Sequence, residues 1–334
     1  MLRLSIATDT LRLAEPFRIA GYVFETADVL VVTLDDGAHR GRGEAAGVYY
    51  LGDDLDHMRG EIERTRTAIE AGVTREALRT ILPPGGARNA VDAALWEFEA
   101  SRAGRPVWAL AGLDAPRALR TTLTVPADTP ATMAAKATSY RDALSIKVKL
   151  TGDLALDLER VAAIRAARPD VWLGVDGNQG FARGDLDALV DGLVTHDVAL
   201  LEQPLPRGRD ADLDGFRSAI PIAGDESLLS LADIPGAVGR FDVVNIKLDK
   251  CGGLTEGLLM AAEARRLGLG VMVGTMVGTS LATAPGFVLG QLADLVDLDG
   301  PTFLAQDRLP SVTYADGTLF AGSDVWGAGT PQPA

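Results

Sequence analysis

A chain of 334 residues, 47% of them hydrophobic and 23% charged, is long enough for one large core with a smaller companion unit. Its formal net charge of −14 argues against a nucleic-acid backbone or an anionic membrane as partner, since both would be repelled at long range, and favours a small, metal-bound ligand. One cysteine, Cys251, excludes an internal disulfide and fits a reducing, cytoplasmic setting, and the opening MLRLSIATDTLRLAEPF lacks the apolar run of a signal peptide.

The first segments, LRLSIAT, PFRIAGYVF and DVLVVTLDDG, alternate like strands and are separated by turn chemistry, which predicts an antiparallel meander. Helical spacing follows in DHMRGEIERTRTAIEAG and in ARNAVDAALWEFEASRAG, where Val91, Ala94, Leu95 and Phe98 share one face before Gly104. Residues 1–115 therefore read as an α+β capping unit.

From about residue 120 short apolar runs alternate with helical stretches. The runs are TTLTV, LSIKVKL, VWLGVD, ALLEQP, IPIAGDE, VVNIKL, GVMVGT and LVDLD. Eight βα-like units imply a parallel sheet covered by helices and closed into a TIM-like barrel over residues 116–305. The tail, 306–334, returns to hairpin chemistry and is expected to pack on the N-terminal unit. No charge occurs between Arg266 and Asp294, a length that would cross a bilayer, but six glycines and Pro285 interrupt it, and strand, loop and buried helix suit it better.

Barrel enzymes gather their reactive groups at the carboxyl ends of the strands. Here those ends carry Lys147, Lys149, Asp176, Glu202, Asp225, Lys247, Asp297 and Asp299. Asp176, Glu202 and Asp225 close three successive strands, and three carboxylates make a hard oxygen cage that suits Mg²⁺ better than Zn²⁺. Each acid alone would pass as a helix cap or a solvated loop carboxylate; the shared register is what argues for a metal.

Lysine is scarce in this chain, five residues against 27 arginines, and four of the five stand in two short stretches. Residues i and i+2 of a strand point to the same side, so Lys147 and Lys149 project together while Ile146, Val148 and Leu150 face the helices. Lysine, unlike arginine, can give up its proton, and burial beside another cation is expected to depress its pKa. The plain alternative is that these lysines only neutralise the carboxylates. A metal with a base on each side of the substrate describes proton abstraction α to a carboxylate, with Lys247 facing the second-strand lysines across the barrel.

In this order, KVK, VDGN, LEQP, GDES and NIKLDKCGG resemble the muconate-lactonising subgroup of the enolase superfamily, and the resemblance covers nearly the whole chain. It implies a capping domain before a (β/α)₇β barrel, one Mg²⁺ per subunit on Asp176, Glu202 and Asp225, with Mn²⁺ as a substitute, and Lys149 and Lys247 as paired acid/base groups assisted by Lys147. Asn178 and Glu226 would support the metal site. VDLDGP further resembles the dipeptide epimerases, the family of L-Ala-D/L-Glu epimerase, in which the Asp297 and Asp299 positions hold the substrate's α-ammonium group; a turn-capping aspartate pair is the alternative. Thr124 matches a substrate-contacting threonine, and Thr275 stands where many members have cysteine.

Members acting on Ala-Glu carry a basic residue in the loop after the first strand. Here its tip reads Gly21, Tyr22, Val23 and Phe24, with only Arg18 before it, so an apolar residue is expected at the dipeptide's second position. The expected function is a dipeptide epimerase, a homo-oligomer as barrels of this kind often are. The same scaffold also serves N-acylamino-acid racemases, o-succinylbenzoate synthases and muconate-type cycloisomerases. A non-catalytic binding barrel would lack one of the ligands or lysines, and none is missing.

Overall fold

The alternation near the N-terminus produces a long hairpin. In the computed structural model, which describes residues 2–19 and 22–328, β1 (Arg3–Ile19) pairs antiparallel with β2 (Tyr22–Asp35), from Arg3↔Asp35 to Ile19↔Tyr22. A register shift between Arg12 and Phe17 breaks the ladder once, as a bulge does. β3 (Arg40–Ala45) completes the sheet. Three helices follow: α1 (Leu55–Glu70), α2 (Arg75–Ile81) and α3 (Gly86–Ala103). Asp54 caps α1 by accepting from His57 N. The inward residues of β2, Leu30, Val32 and Leu34, bury against Met58 and Ile62 of α1 and Val91 and Leu95 of α3.

After the short α4 (Val107–Leu110) and β4 (Leu119–Arg120), the barrel begins with β5 (Leu123–Val125) and α5 (Pro130–Ser139). It continues through β6 (Ser145–Lys149), α6 (Leu154–Ala167), β7 (Trp172–Asp176), α7 (Leu186–Thr195), β8 (Leu200–Glu202) and β9 (Ile222–Gly224). Then come α8 (Ile234–Ala237), β10 (Val243–Lys247), α9 (Leu248–Cys251), α10 (Leu254–Arg266), β11 (Gly270–Gly274), α11 (Ser280–Gly290) and β12 (Leu295–Asp297). The eight strands run parallel in chain order, and a Thr122 N to Val296 O hydrogen bond of 3.0 Å joins the first to the last. Between β8 and β9 the covering element is only a 3₁₀ turn, Asp210–Leu213.

The outward strand residues, Ile146, Val148, Leu173, Val175, Val244 and Ile246 among them, build the main core with the helices. Inside the barrel the lower layer is apolar: Leu200, Ala223, Val243 and Met272 pack with Trp172 and Leu295 into a plug. Glycine is required at 174, because a Cβ there would lie 2.7 Å from the Trp172 ring. The layer above the plug is polar and forms the floor of the site.

The charge-free stretch before Asp294 folds as β11 and the 11-residue α11, and no described helix is long and apolar enough to cross a membrane. The tail divides its contacts. Its hairpin, β13 (Thr313–Ala315) and β14 (Thr318–Phe320), pairs with β4, not with the N-terminal sheet. Beyond it Trp326 Nε1 donates to Arg42 O at 3.0 Å and Gly327 N to Glu97 Oε1 at 3.1 Å, on β3 and α3. Buried polar contacts also join α3 to α10: Asp92 accepts from Thr255 N (3.0 Å) and Thr255 Oγ1 (2.5 Å), and Trp96 Nε1 donates to Thr255 Oγ1 (3.0 Å).

Candidate active site at the carboxyl ends of the barrel strands

Strand register brings the sequence-predicted residues together. Lys149 is paired with Asp176, Asp176 with Glu202, Thr124 with Lys147, and Lys247 with Gly274, which in turn neighbours Asp297. Asp225 follows directly on β9. β6 and β10 are four places apart in an eight-strand order, so Lys149 and Lys247 stand on opposite sides of the barrel mouth. Gly274 leaves room for that arrangement: a Cβ would lie 2.8 Å from Asn245 Oδ1 and 3.0 Å from Lys247 Cε.

The three carboxylates, all buried, each offer an oxygen within 4.8 Å of the others. Each has one oxygen tied from outside. Asn178 N donates to Asp176 Oδ1 at 2.9 Å, Asn245 Nδ2 to Glu202 Oε1 at 2.7 Å, and Lys250 Nζ to Asp225 Oδ1 at 2.5 Å. The second oxygens turn to the lysines. Lys149 Nζ donates to Asp176 Oδ2 and Lys247 Nζ to Asp225 Oδ2, both at 2.6 Å, and Lys147 Nζ is 3.3 Å from Glu202 Oε2. Glu202 Oε2 and Glu226 Oε2 are buried without a hydrogen-bond partner. Hard oxygen donors, converging and partly unsatisfied, fit a Mg²⁺ ion.

For Lys147 the electrostatics run against the expectation of a depressed amine. Burial works against the charged form of Lys147, but Asp297, Glu202 and Asp176 outweigh it and hold the ammonium above the ordinary lysine range. Lys247 behaves alike, with Asp225 and Glu202 as the counter-charges to its burial. Neighbouring carboxylates therefore dominate over neighbouring cations. Burial also pushes Glu202 up to about 7, with Asp176 adding to the rise, and Glu226 up to about 8, with Asp225 adding to it.

Asp297 and Asp299 are buried and line the cavity, but they differ. Asp297 is held by Lys147 Nζ and Thr122 Oγ1, and those partners keep its carboxyl low against the cost of burial. Asp299 accepts from Thr124 N at 2.6 Å, and burial followed by the charge of Asp297 raises it to about 7. Lys147 thus links the aspartate pair to the acidic cluster.

The cavity above them is about 640 Å³. Thr124, Thr275, Asn178 and Glu226 line it together with the lysines, and its cap side is Leu13, Phe17, Phe24, Tyr49 and Tyr50, met by Phe303 from the 3₁₀ turn Gly300–Phe303 after β12. Of the four tip residues, Gly21 lies outside the described residues, Tyr22, Val23 and Phe24 are in β2, not in a loop, Val23 is 60% exposed, and Phe24 reaches the cavity. Phe24 meets Tyr49 edge-on at 5.3 Å, joining the hairpin to the 3₁₀ turn Tyr49–Leu51.

Sequence reasoning missed Asn245, Lys250, Tyr49 and Tyr50. Asn245 was accessible to the same i, i+2 rule that paired Lys147 with Lys149, since it stands two residues before Lys247 on a strand. Lys250 is one of the five lysines and nothing in the sequence gives it a role, yet it is almost fully buried beside Asp225. Nothing local marks the tyrosines, which the cap delivers.

Residues 1–112 match the N-terminal domain of mandelate racemase / muconate lactonizing enzyme, and residues 132–318 match the enolase C-terminal domain-like family. The chain is 40% identical over 304 residues to the L-Ala-D/L-Glu epimerase of Escherichia coli K12, covering 91% of this chain and 95% of that one. An enolase family member from Agrobacterium tumefaciens with homology to dipeptide epimerases, solved with bound sodium and L-Ala-L-Glu, superposes with a TM-score of 0.94 at 37% identity, covering 98% of this chain and all of that one (100%). The dipeptide epimerase of Methylococcus capsulatus, complexed with Mg and L-Arg-D-Lys, gives a TM-score of 0.89 at 28% identity over 98% of each chain.

Proposed function

The chain belongs to the mandelate racemase / muconate lactonizing enzyme family of the enolase superfamily and is an isomerase, and from that premise we propose that it is a Mg²⁺-dependent dipeptide epimerase. The observation that carries this reading is Lys149 and Lys247 on opposite sides of one buried carboxylate triad. Asp176, Glu202 and Asp225 would hold the ion. Bound there, it would stabilise the negative charge that builds on the substrate's carboxyl oxygens as the α-proton leaves.

The chain's own residues do the rest. One of Lys149 Nζ and Lys247 Nζ takes the α-proton from its face, and the other returns a proton from the opposite face, which inverts the carbon. Lys147, kept cationic by its carboxylates, adds positive charge beside the reacting carboxyl group. Asp299, with Asp297 behind it, accepts the dipeptide's α-ammonium group, and Thr124 and Thr275 flank the chain. Among the described residues lining the cavity the only cations are Lys147, Lys149 and Lys247, so nothing at the cap end would pair a glutamate side chain. Phe17, Phe24 and Phe303 there favour an apolar residue at the inverted position.

The test is α-proton exchange in D₂O with Mg²⁺ and a dipeptide library. Deuterium at the α-carbon of the C-terminal residue, with inversion, supports the reading; its absence across the library overturns it. Comparable turnover of Ala-Glu and Ala-Leu would remove the apolar preference alone. A second reading, racemisation of N-acylated amino acids, is favoured by the Lys147–Asp297 pair, which a substrate with an uncharged nitrogen would leave intact. N-acetyl amino acids in the same assay distinguish the two.

A further inference from the structure

Each carboxylate of the acidic centre has one oxygen tied by a donor outside the centre, and two of those donors are side chains: Asn245 on Glu202 and Lys250 on Asp225. Asn245 and Lys250 are themselves 0% and 1% exposed. Lys250 Nζ also donates to Asn245 O at 3.1 Å and to Asp225 O, so its ammonium has three protein acceptors. The third tie is the main-chain Asn178 N on Asp176.

Such ties control how a carboxylate can bind an ion. Ca²⁺ takes six to eight oxygens and commonly uses both oxygens of a carboxylate, whereas Mg²⁺ is content with single oxygens in a tight octahedron and keeps its waters. Swinging Glu202 or Asp225 to present both oxygens would take from the Asn245 amide its carboxylate acceptor, or from the Lys250 ammonium its one charged acceptor, in a site with no solvent to replace the lost bond. We propose that Asn245 and Lys250 are positioning residues that restrict Glu202 and Asp225 to one oxygen each and thereby select Mg²⁺ against Ca²⁺. This rests on the acidic triad being the metal site of the proposed function. It assigns to two residues outside the reacting set the choice of ion.

The experiment uses the full-length chain and Mn²⁺ as a spectroscopic probe, following free Mn²⁺ by electron paramagnetic resonance while Mg²⁺ or Ca²⁺ is titrated in. Mg²⁺ displaces Mn²⁺ from the wild type at lower concentration than Ca²⁺. In Asn245→Leu and in Lys250→Met that preference shrinks by about tenfold or more, the size expected for loss of a partner behind a metal ligand. A merely structural role would weaken both ions together and leave their ratio unchanged, so an unchanged ratio in both variants overturns the proposal. Should neither variant fold, the wild type still decides: Ca²⁺ displacing Mn²⁺ as readily as Mg²⁺ does would also overturn it. A wild type that exchanges the α-proton but shows no Mg²⁺ preference sinks this inference alone. A wild type that binds no Mn²⁺ sinks the proposed function with it.

Discussion

Lys149 Nζ donates to Asp176 Oδ2 at 2.6 Å, and the two residues are direct neighbours in the β6–β7 register. The contact is mirrored across the barrel by Lys247 and Asp225 at the same distance. Each candidate base is therefore placed by a candidate metal ligand of its own side. The two faces of a substrate between them are served by different strands.

That division predicts a separable loss. Lys149→Ala and Lys247→Ala each abolish epimerisation, while each keeps solvent exchange starting from one epimer and lowers it by at least about 10²-fold from the other. Proton NMR in D₂O, begun separately from the L,L and L,D dipeptides, reads this. Equal losses from both epimers in both variants would contradict a two-base site.

Phe24, at the tip of the hairpin, lines the cavity. Phe24→Arg supplies a cation where the described residues of the cap end offer none, and the ratio of kcat/KM for Ala-Glu over Ala-Leu is expected to rise by about tenfold or more, the scale of a new charge-assisted contact. A ratio that stays put would show that this end of the cavity does not read the side chain.

Gly274→Ala places a methyl against Asn245 and Lys247 Cε, inside a packed barrel. Overpacking of this kind costs about 1–3 kcal/mol. Because Asn245, which holds Glu202, must shift and Lys247 must give way beside it, kcat is expected to fall well below wild type while the fold, read by circular dichroism, is retained. Full activity in this variant would mean that the barrel relaxes around the methyl.

Asp92 ties the cap to α10 and is driven up to about 6 by burial, against its hydrogen bonds from Thr255. Its folded-state pKa lies above the unfolded value, so the native state binds the extra proton. The associated stability is complete below about pH 4 and lost as the pH rises through 6. The stability of the wild type relative to Asp92→Asn should therefore fall by about 2 kcal/mol from pH 4 to pH 7 and then stay level. A pH-independent difference would mean that Asp92 does not titrate in this range.

Much of this centre could be read along the chain because it is local. Strand period places Lys147 and Lys149 on one side, the ends of short apolar runs announce Asp176, Glu202 and Asp225, and the spacing of βα units makes them neighbours. The eight barrel strands and their order follow from the same periodicity.

What no local rule contains is which atoms meet through space. The pairing of Lys147 with Asp297 joins β6 to β12, and it keeps as a cation a lysine whose neighbour in sequence suggested the reverse. Asn245 and Lys250 become partners of Glu202 and Asp225 only when β8, β9 and β10 lie side by side, and Tyr49 and Phe24 reach the cavity only because the cap is bound to the barrel. Periodicity sets the direction of a side chain; its charge state and its hydrogen-bond partner depend on distances between segments far apart in sequence, and packing alone sets those.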